Sequence, residues 1–243
     1  MSDISIILIR HGEAAASWSK DPDPGLSDNG HEQAESLLIR HCYQDLSGYQ
    51  FISSPKLRAI ETSNFLAKKF SKDVKTNSTY SEIPSTGILM KDKMEWLGSI
   101  SSMPIEDLPL EVAAWRKEII TSLLSIKNNT IIFSHFMVMN VLASYANGEQ
   151  RLLSFYPDYT SFIKIVLRNE SIYSIEFDKE KKTTNDRTWC FWEKDTGEWD
   201  DLVHKSWKKI LFESNSYQNT IPLQSYAYKM IRSAKFYEKL WNF

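Results

Sequence analysis

The chain has 243 residues, of which 42% are hydrophobic, and a formal net charge of −2. That length suits one sizeable domain, or one domain with an appendage, and the charge gives no general pull toward nucleic acid or a membrane surface. No apolar run approaches the ~20 residues of a membrane span, no basic region precedes the first apolar run, and the two cysteines, Cys42 and Cys190, have neither metal-ligand spacing nor a disulfide framework. A cytoplasmic protein with reduced thiols and no bound metal is the expectation.

Residues 4–9, Ile-Ser-Ile-Ile-Leu-Ile, predict a buried strand that breaks into Arg10, His11 and Gly12. Pro22, Pro24 and Gly25 mark a loop. Ser27 then caps a helix with Asp28 near its start and Ala34, Leu37 and Leu38 at helical spacing. Residues 49–53 form a second strand, stopped by Pro55, and a helix follows over 56–70 with Ile60, Phe65 and Leu66 facing inward. A further helix covers 110–126, with Val112, Trp115, Ile119 and Leu123 on one face. Residues 130–134 are a third strand, followed at once by His135 and then by a helix over 138–146. Residues 161–167 and 172–177 make a hairpin around Asn169-Glu170.

Strands alternating with helices predict an α/β fold: a three-layer α/β/α sandwich with a mostly parallel central sheet. Ligands of such sheets lie beyond the carboxyl ends of the strands. Three predicted strands end there in polar residues: Arg10-His11, Ser53-Ser54 and Ser134-His135. Arg10 beside His11 is unfavourable unless an anion accompanies them. A phosphate dianion resolves this, because the planar guanidinium fork matches phosphate oxygens. Arg58 adds a second fork in the first turn of a helix, whose positive end favours the same charge.

Arg10-His11-Gly12-Glu13, Ser53-Ser54-Pro55 through Arg58-Ala59 to Thr62, Glu82, and Ser134-His135 stand in the order and spacing of a known family. Over residues 4–178 the chain resembles the histidine phosphatase superfamily, with its phosphoglycerate-mutase-like fold. The resemblance implies that His11 is a nucleophile forming phosphohistidine. It implies that Arg10, Arg58 and His135 bind and stabilise the phosphoryl group, and that Glu82 is the general acid, with His135 also counted as catalytic. It requires no metal and no cofactor. Phosphoglycerate mutases carry Asn six residues after the nucleophile and Gly after the second histidine. Here those pocket positions are Ser17 and Phe136, and the bulk of Phe136 favours a phosphatase over a mutase. His31, His41 and His204 lack comparable partners and read as surface or packing residues. Tyr156, Pro157 and Asp158 form a loop that borders the pocket.

From residue 179 the character changes. The segment 179–243 carries 12 Lys and Arg against 9 Asp and Glu, and 5 of the 8 tryptophans. Asp-Arg-Thr-Trp-Cys-Phe-Trp (186–192) resembles an internal piece of flavoprotein lycopene cyclases. No Gly-x-Gly-x-x-Gly occurs anywhere in the chain, so FAD binding is not expected. The organisation expected is therefore a phosphatase domain over 1–178 and an aromatic-rich extension over 179–243, a truncated cyclase segment without independent function.

The expected activity is hydrolysis of a small phosphomonoester. The alternatives are a phosphoprotein phosphatase acting on phosphohistidine or phosphoserine, a phosphoglycerate-type mutase, a non-catalytic phosphoryl-binding protein and, from the extension alone, a flavin-dependent isoprenoid enzyme.

Overall fold

A computed structural model of the chain describes residues 3–16, 20–40 and 43–178. These lie within the first of the two units into which the chain divides, Met1–Lys182 and Thr183–Phe243. Ser17, Trp18, His41, Cys42 and the whole extension fall outside the described residues.

Six strands form one mixed sheet: β1 (Ile4–Arg10), β2 (Gln50–Ser53), β3 (Val74–Thr76), β4 (Thr130–Ser134), β5 (Phe162–Arg168) and β6 (Ser171–Phe177), in the spatial order β3-β2-β4-β1-β5-β6. The first four positions pair in parallel, and β5 and β6 close the sheet antiparallel. The β5–β6 turn falls at Asn169 and Glu170, both at positive φ, the handedness a tight hairpin needs.

The α-helices are α1 (Asp28–Ser36), α2 (Leu57–Phe70), α3 (Lys93–Ser102), α4 (Leu110–Leu124) and α5 (Phe136–Ala146). Ser27 caps α1 by accepting from the Gly30 amide. Ile7, Ile9, Ile131 and Phe133 pack in one cluster with Leu66 of α2 and with Leu37, the C-cap of α1, which puts the end of α1 and α2 on that face. Side chains alternate along a strand, so Ile6, Leu8 and Ile132, all fully buried, face the other way. There α5 touches β1 and packs on α4, whose buried stripe is Val112, Trp115, Ile119 and Leu123, as expected.

Three local expectations differ from what is observed. The inward face of α2 is Ala59, Thr62, Ser63 and Leu66; Ile60 and Phe65 are half-buried. Small residues let α2 approach the sheet closely, and Phe65 packs toward the His31 ring instead. Helix α5 starts at Phe136 rather than 138, because His135 itself is the N-cap. Strand β3 and helix α3 have no counterpart in the sequence reading. The first has one apolar residue in three, and the second carries Gly98 in its interior and no capping side chain.

Parallel pairing aligns the strand ends. Arg10 lies opposite Ser134, and Ser53 opposite Phe133. The ladder runs one step further through His11 N–H to Ser134 O (3.0 Å) and Ser54 N–H to Phe133 O (2.9 Å). His11, Ser54 and His135 thus leave three adjacent strands at one level.

Candidate active site

Arg10, His11, Arg58 and His135 meet at the carboxyl end of the sheet, and all four are buried. The imidazoles of His11 and His135 stand edge to face, 5.1 Å between centroids. Arg58 lies between them. Its Nε–H donates to His11 Nε2 (3.0 Å), and its Nη2 contacts His135 Nδ1 (3.2 Å). Its Nη1 is buried with no hydrogen-bond partner among the described residues, and the Asp23 carboxylate is 4.0 Å away. Asp23 instead accepts from the Leu57 amide at the start of α2 (3.1 Å).

Arginine is an obligate donor, so His11 Nε2 is a lone-pair acceptor. The proton of the neutral ring then sits on Nδ1, which donates to Gly12 O (2.6 Å). Burial and, behind it, the Arg58 and Arg10 charges hold His11 well below the ordinary imidazole range. Burial and Arg58 do the same to His135. Both rings are therefore neutral at neutral pH.

Arg10 is held from several sides. Its Nη1 donates to Pro157 O (2.9 Å), and its guanidinium lies 4.2 Å from the Tyr159 ring centroid and 5.3 Å from that of Phe136. Its backbone is tied by Arg10 N–H to Ser161 O and Thr160 N–H to Arg10 O, with Thr160 in the left-handed region. Phe136 therefore serves as a wall for Arg10. The expected bordering loop does reach the site, and Tyr159, one residue beyond the expected segment, is its main side-chain contribution. A lone tyrosine in a loop carries no local signal of that role.

Glu82 is half-buried where the α5 N-terminus meets the loop after β3. Its Oε1 accepts from the amides of Ile83 (3.0 Å) and Met137 (3.3 Å). The loop is anchored by Ser134 Oγ to Tyr80 O and Trp115 Nε1 to Ser81 O. Burial pushes the Glu82 carboxyl up, against the opposing pull of those amides and of Arg58 and Arg10.

Close backbone packing requires glycine at position 12. A Cβ there would lie 2.6 Å from Gly30 O, and one on Gly30 would lie 2.1 Å from Glu13 O. The two glycines let α1 pack directly on the segment after β1. Thr62 completes the frame, accepting from Gly12 N–H (3.0 Å) and donating to Arg58 O (2.7 Å). Ser17 lies outside the described residues.

The profile of the histidine phosphatase superfamily (branch 1) matches residues 6–189, about three quarters of the chain. The chain belongs to this superfamily. A second profile, lycopene cyclase protein, matches residues 168–242. No curated protein matches.

Several solved structures share the fold at low identity. A phosphoserine phosphatase from Entamoeba histolytica, in complex with 3-phosphoglyceric acid, is 20% identical with a TM-score of 0.54, and the match covers 72% of this chain and 98% of that one. A phosphoglycerate mutase from Bacillus anthracis is 16% identical with a TM-score of 0.55, covering 74% and 94%. A mycobacterial glucosyl-3-phosphoglycerate phosphatase, complexed with inorganic phosphate, is 15% identical with a TM-score of 0.55, covering 74% and 98%.

Proposed function

We propose that this histidine phosphatase hydrolyses a small phosphomonoester in the cytoplasm, without a metal, through a phosphohistidine on His11. The observation that carries this reading is Arg58. A buried guanidinium that spends two donors on imidazoles and leaves a third unpaired is a poor structural element and a suitable receptor for phosphoryl oxygens. Arg10 and His135 add further contacts to the same group.

His11 Nε2 attacks phosphorus in line, and the leaving oxygen departs with the bonding pair and takes a proton from Glu82. Water then attacks the phosphohistidine, gives its proton to the Glu82 carboxylate, and the N–P electrons return to His11. Burial keeps His11 neutral and nucleophilic, and keeps Glu82 available as an acid. The ring of Phe136 against Arg10 crowds the space beside the phosphoryl group, which favours hydrolysis over a mutase's sugar-phosphate transfer. In this reading residues 179–243 form an extension without independent function. Cleavage near residues 179–185 leaves an active fragment; loss of activity on trimming contradicts that division.

The test is a phosphatase screen over sugar phosphates, nucleotides and phosphopeptides, with His11→Ala as control. Turnover on small esters that His11→Ala abolishes is the expected result. Turnover on phosphopeptides alone would move the assignment to a phosphoprotein phosphatase, and activity surviving in His11→Ala would overturn the nucleophile.

A further inference from the structure

The two imidazoles face Arg58 in the same sense, but only one suits a bound phosphate as it stands. Arg58 Nη2 can only donate, so His135 Nδ1 is an acceptor (3.2 Å). The proton of the neutral ring then sits on Nε2, 2.7 Å from Ser54 Oγ. Ser54 Oγ accepts it, and also lies 3.3 Å from the Lys56 amide. In this tautomer the nitrogen turned toward Arg58 bears a lone pair, which a phosphoryl oxygen would repel. A second proton on the ring would solve that, but burial and the Arg58 charge oppose it. A hydroxyl offers another route, because it is both donor and acceptor and rotates at little cost.

We infer that Ser54 is a positioning residue that switches the tautomer of His135 when a phosphoryl group binds. This rests on the phosphoryl site proposed above. Arg58 turns its fork from the imidazoles to the phosphoryl oxygens, which uncovers His11 Nε2 and His135 Nδ1 together. His135 loses its Nε2 proton to solvent and takes one on Nδ1 from solvent. The Ser54 hydroxyl hydrogen rotates onto the vacated Nε2. The pair keeps its proton count, and His135 becomes a neutral donor to the phosphoryl group. Ser54 is fully buried, and its neighbour Ser53 donates to Ser54 O (2.8 Å), so the hydroxyl moves within a fixed backbone.

The experiment is long-range proton–nitrogen NMR of the full chain labelled with 15N-histidine, titrated with inorganic phosphate. The expected result is a single Nε2–H form of His135 in the free protein and a single Nδ1–H form in the phosphate complex. In Ser54→Ala the complex no longer shows the single Nδ1–H form, and kcat/KM falls about tenfold, the scale of one lost buried hydrogen bond. Ser54→Thr, which keeps the hydroxyl, restores both. A doubly protonated or unchanged His135 in the wild-type complex overturns the switch while leaving the phosphoryl site standing. Wild-type spectra and turnover in Ser54→Ala overturn the role of Ser54. Failure of phosphate to perturb either His11 or His135 overturns the site and the switch together.

Discussion

The two ends of the sheet treat arginine in opposite ways. Where β1 begins and β5 finishes, Arg168 meets Asp3 as a matched fork, with contacts of 2.8 and 2.7 Å in solvent. Where β1 and β4 end, Arg58 is buried and gives its donors to two imidazoles, with the Asp23 carboxylate 4.0 Å away. The first arrangement is electrostatically complete and contributes little, because exposed pairs are screened by water. The second is incomplete, and its incompleteness is what an incoming dianion can use. Stability and function separate along the strands.

The largest test of that contrast is Arg58→Met. It should lower kcat/KM by about 10³-fold, the cost of losing a donor to a developing oxyanion, yet leave Tm no lower, since the buried cation removed has only the exposed Asp23 carboxylate at 4.0 Å to offset its desolvation. A marked fall in Tm would make Arg58 a structural residue. Next is Glu82→Gln. Steady-state kcat should fall about 10²-fold, and the decline of the wild-type rate at rising pH, as the raised Glu82 carboxyl ionises, should vanish. An unaltered alkaline limb would assign the acid elsewhere.

A smaller effect concerns stability against pH. His11 and His135 are depressed when folded, so above pH ~6.5 both states of the protein hold them neutral. Below that, only the unfolded chain takes up their protons. Stability should therefore fall with acidity from pH ~6.5 down to the folded values, by up to about 1.4 kcal/mol per pH unit for each ring. Chemical denaturation across pH 5–7.5 reads the slope, and His135→Phe should flatten it; an equal slope in that variant would place the proton uptake in other groups. Smallest is Arg168→Met, which should leave kcat/KM unchanged and move Tm by no more than about two degrees.

The same division governed what could be read from sequence. Strand ends with abrupt polar residues are local signals, so Arg10-His11, Arg58 and Ser134-His135 were visible, and parallel register brought them together. β4 and the hairpin at Asn169-Glu170 were equally legible. The contacts that hold the site are long-range. Pro157 is 147 residues from Arg10 and Ser54 is 81 from His135, and no periodicity reports such a pairing. The need for glycine at position 12 is equally hidden, since the atom it must admit belongs to Gly30 of α1. On the inward face of α2 Leu66 is buried as expected, but hydrophobicity points also to Ile60 and Phe65, where close packing selects Ala59, Thr62 and Ser63.

The central claim is that His11 Nε2 carries the phosphoryl group. Rapid acid-free quenching of turnover, followed by peptide mass spectrometry, tests it most directly. The account predicts one acid-labile, base-stable phosphoryl group on the peptide containing His11, absent in His11→Ala. A phosphoryl group on any other residue, or turnover in His11→Ala at the wild-type rate, would contradict it.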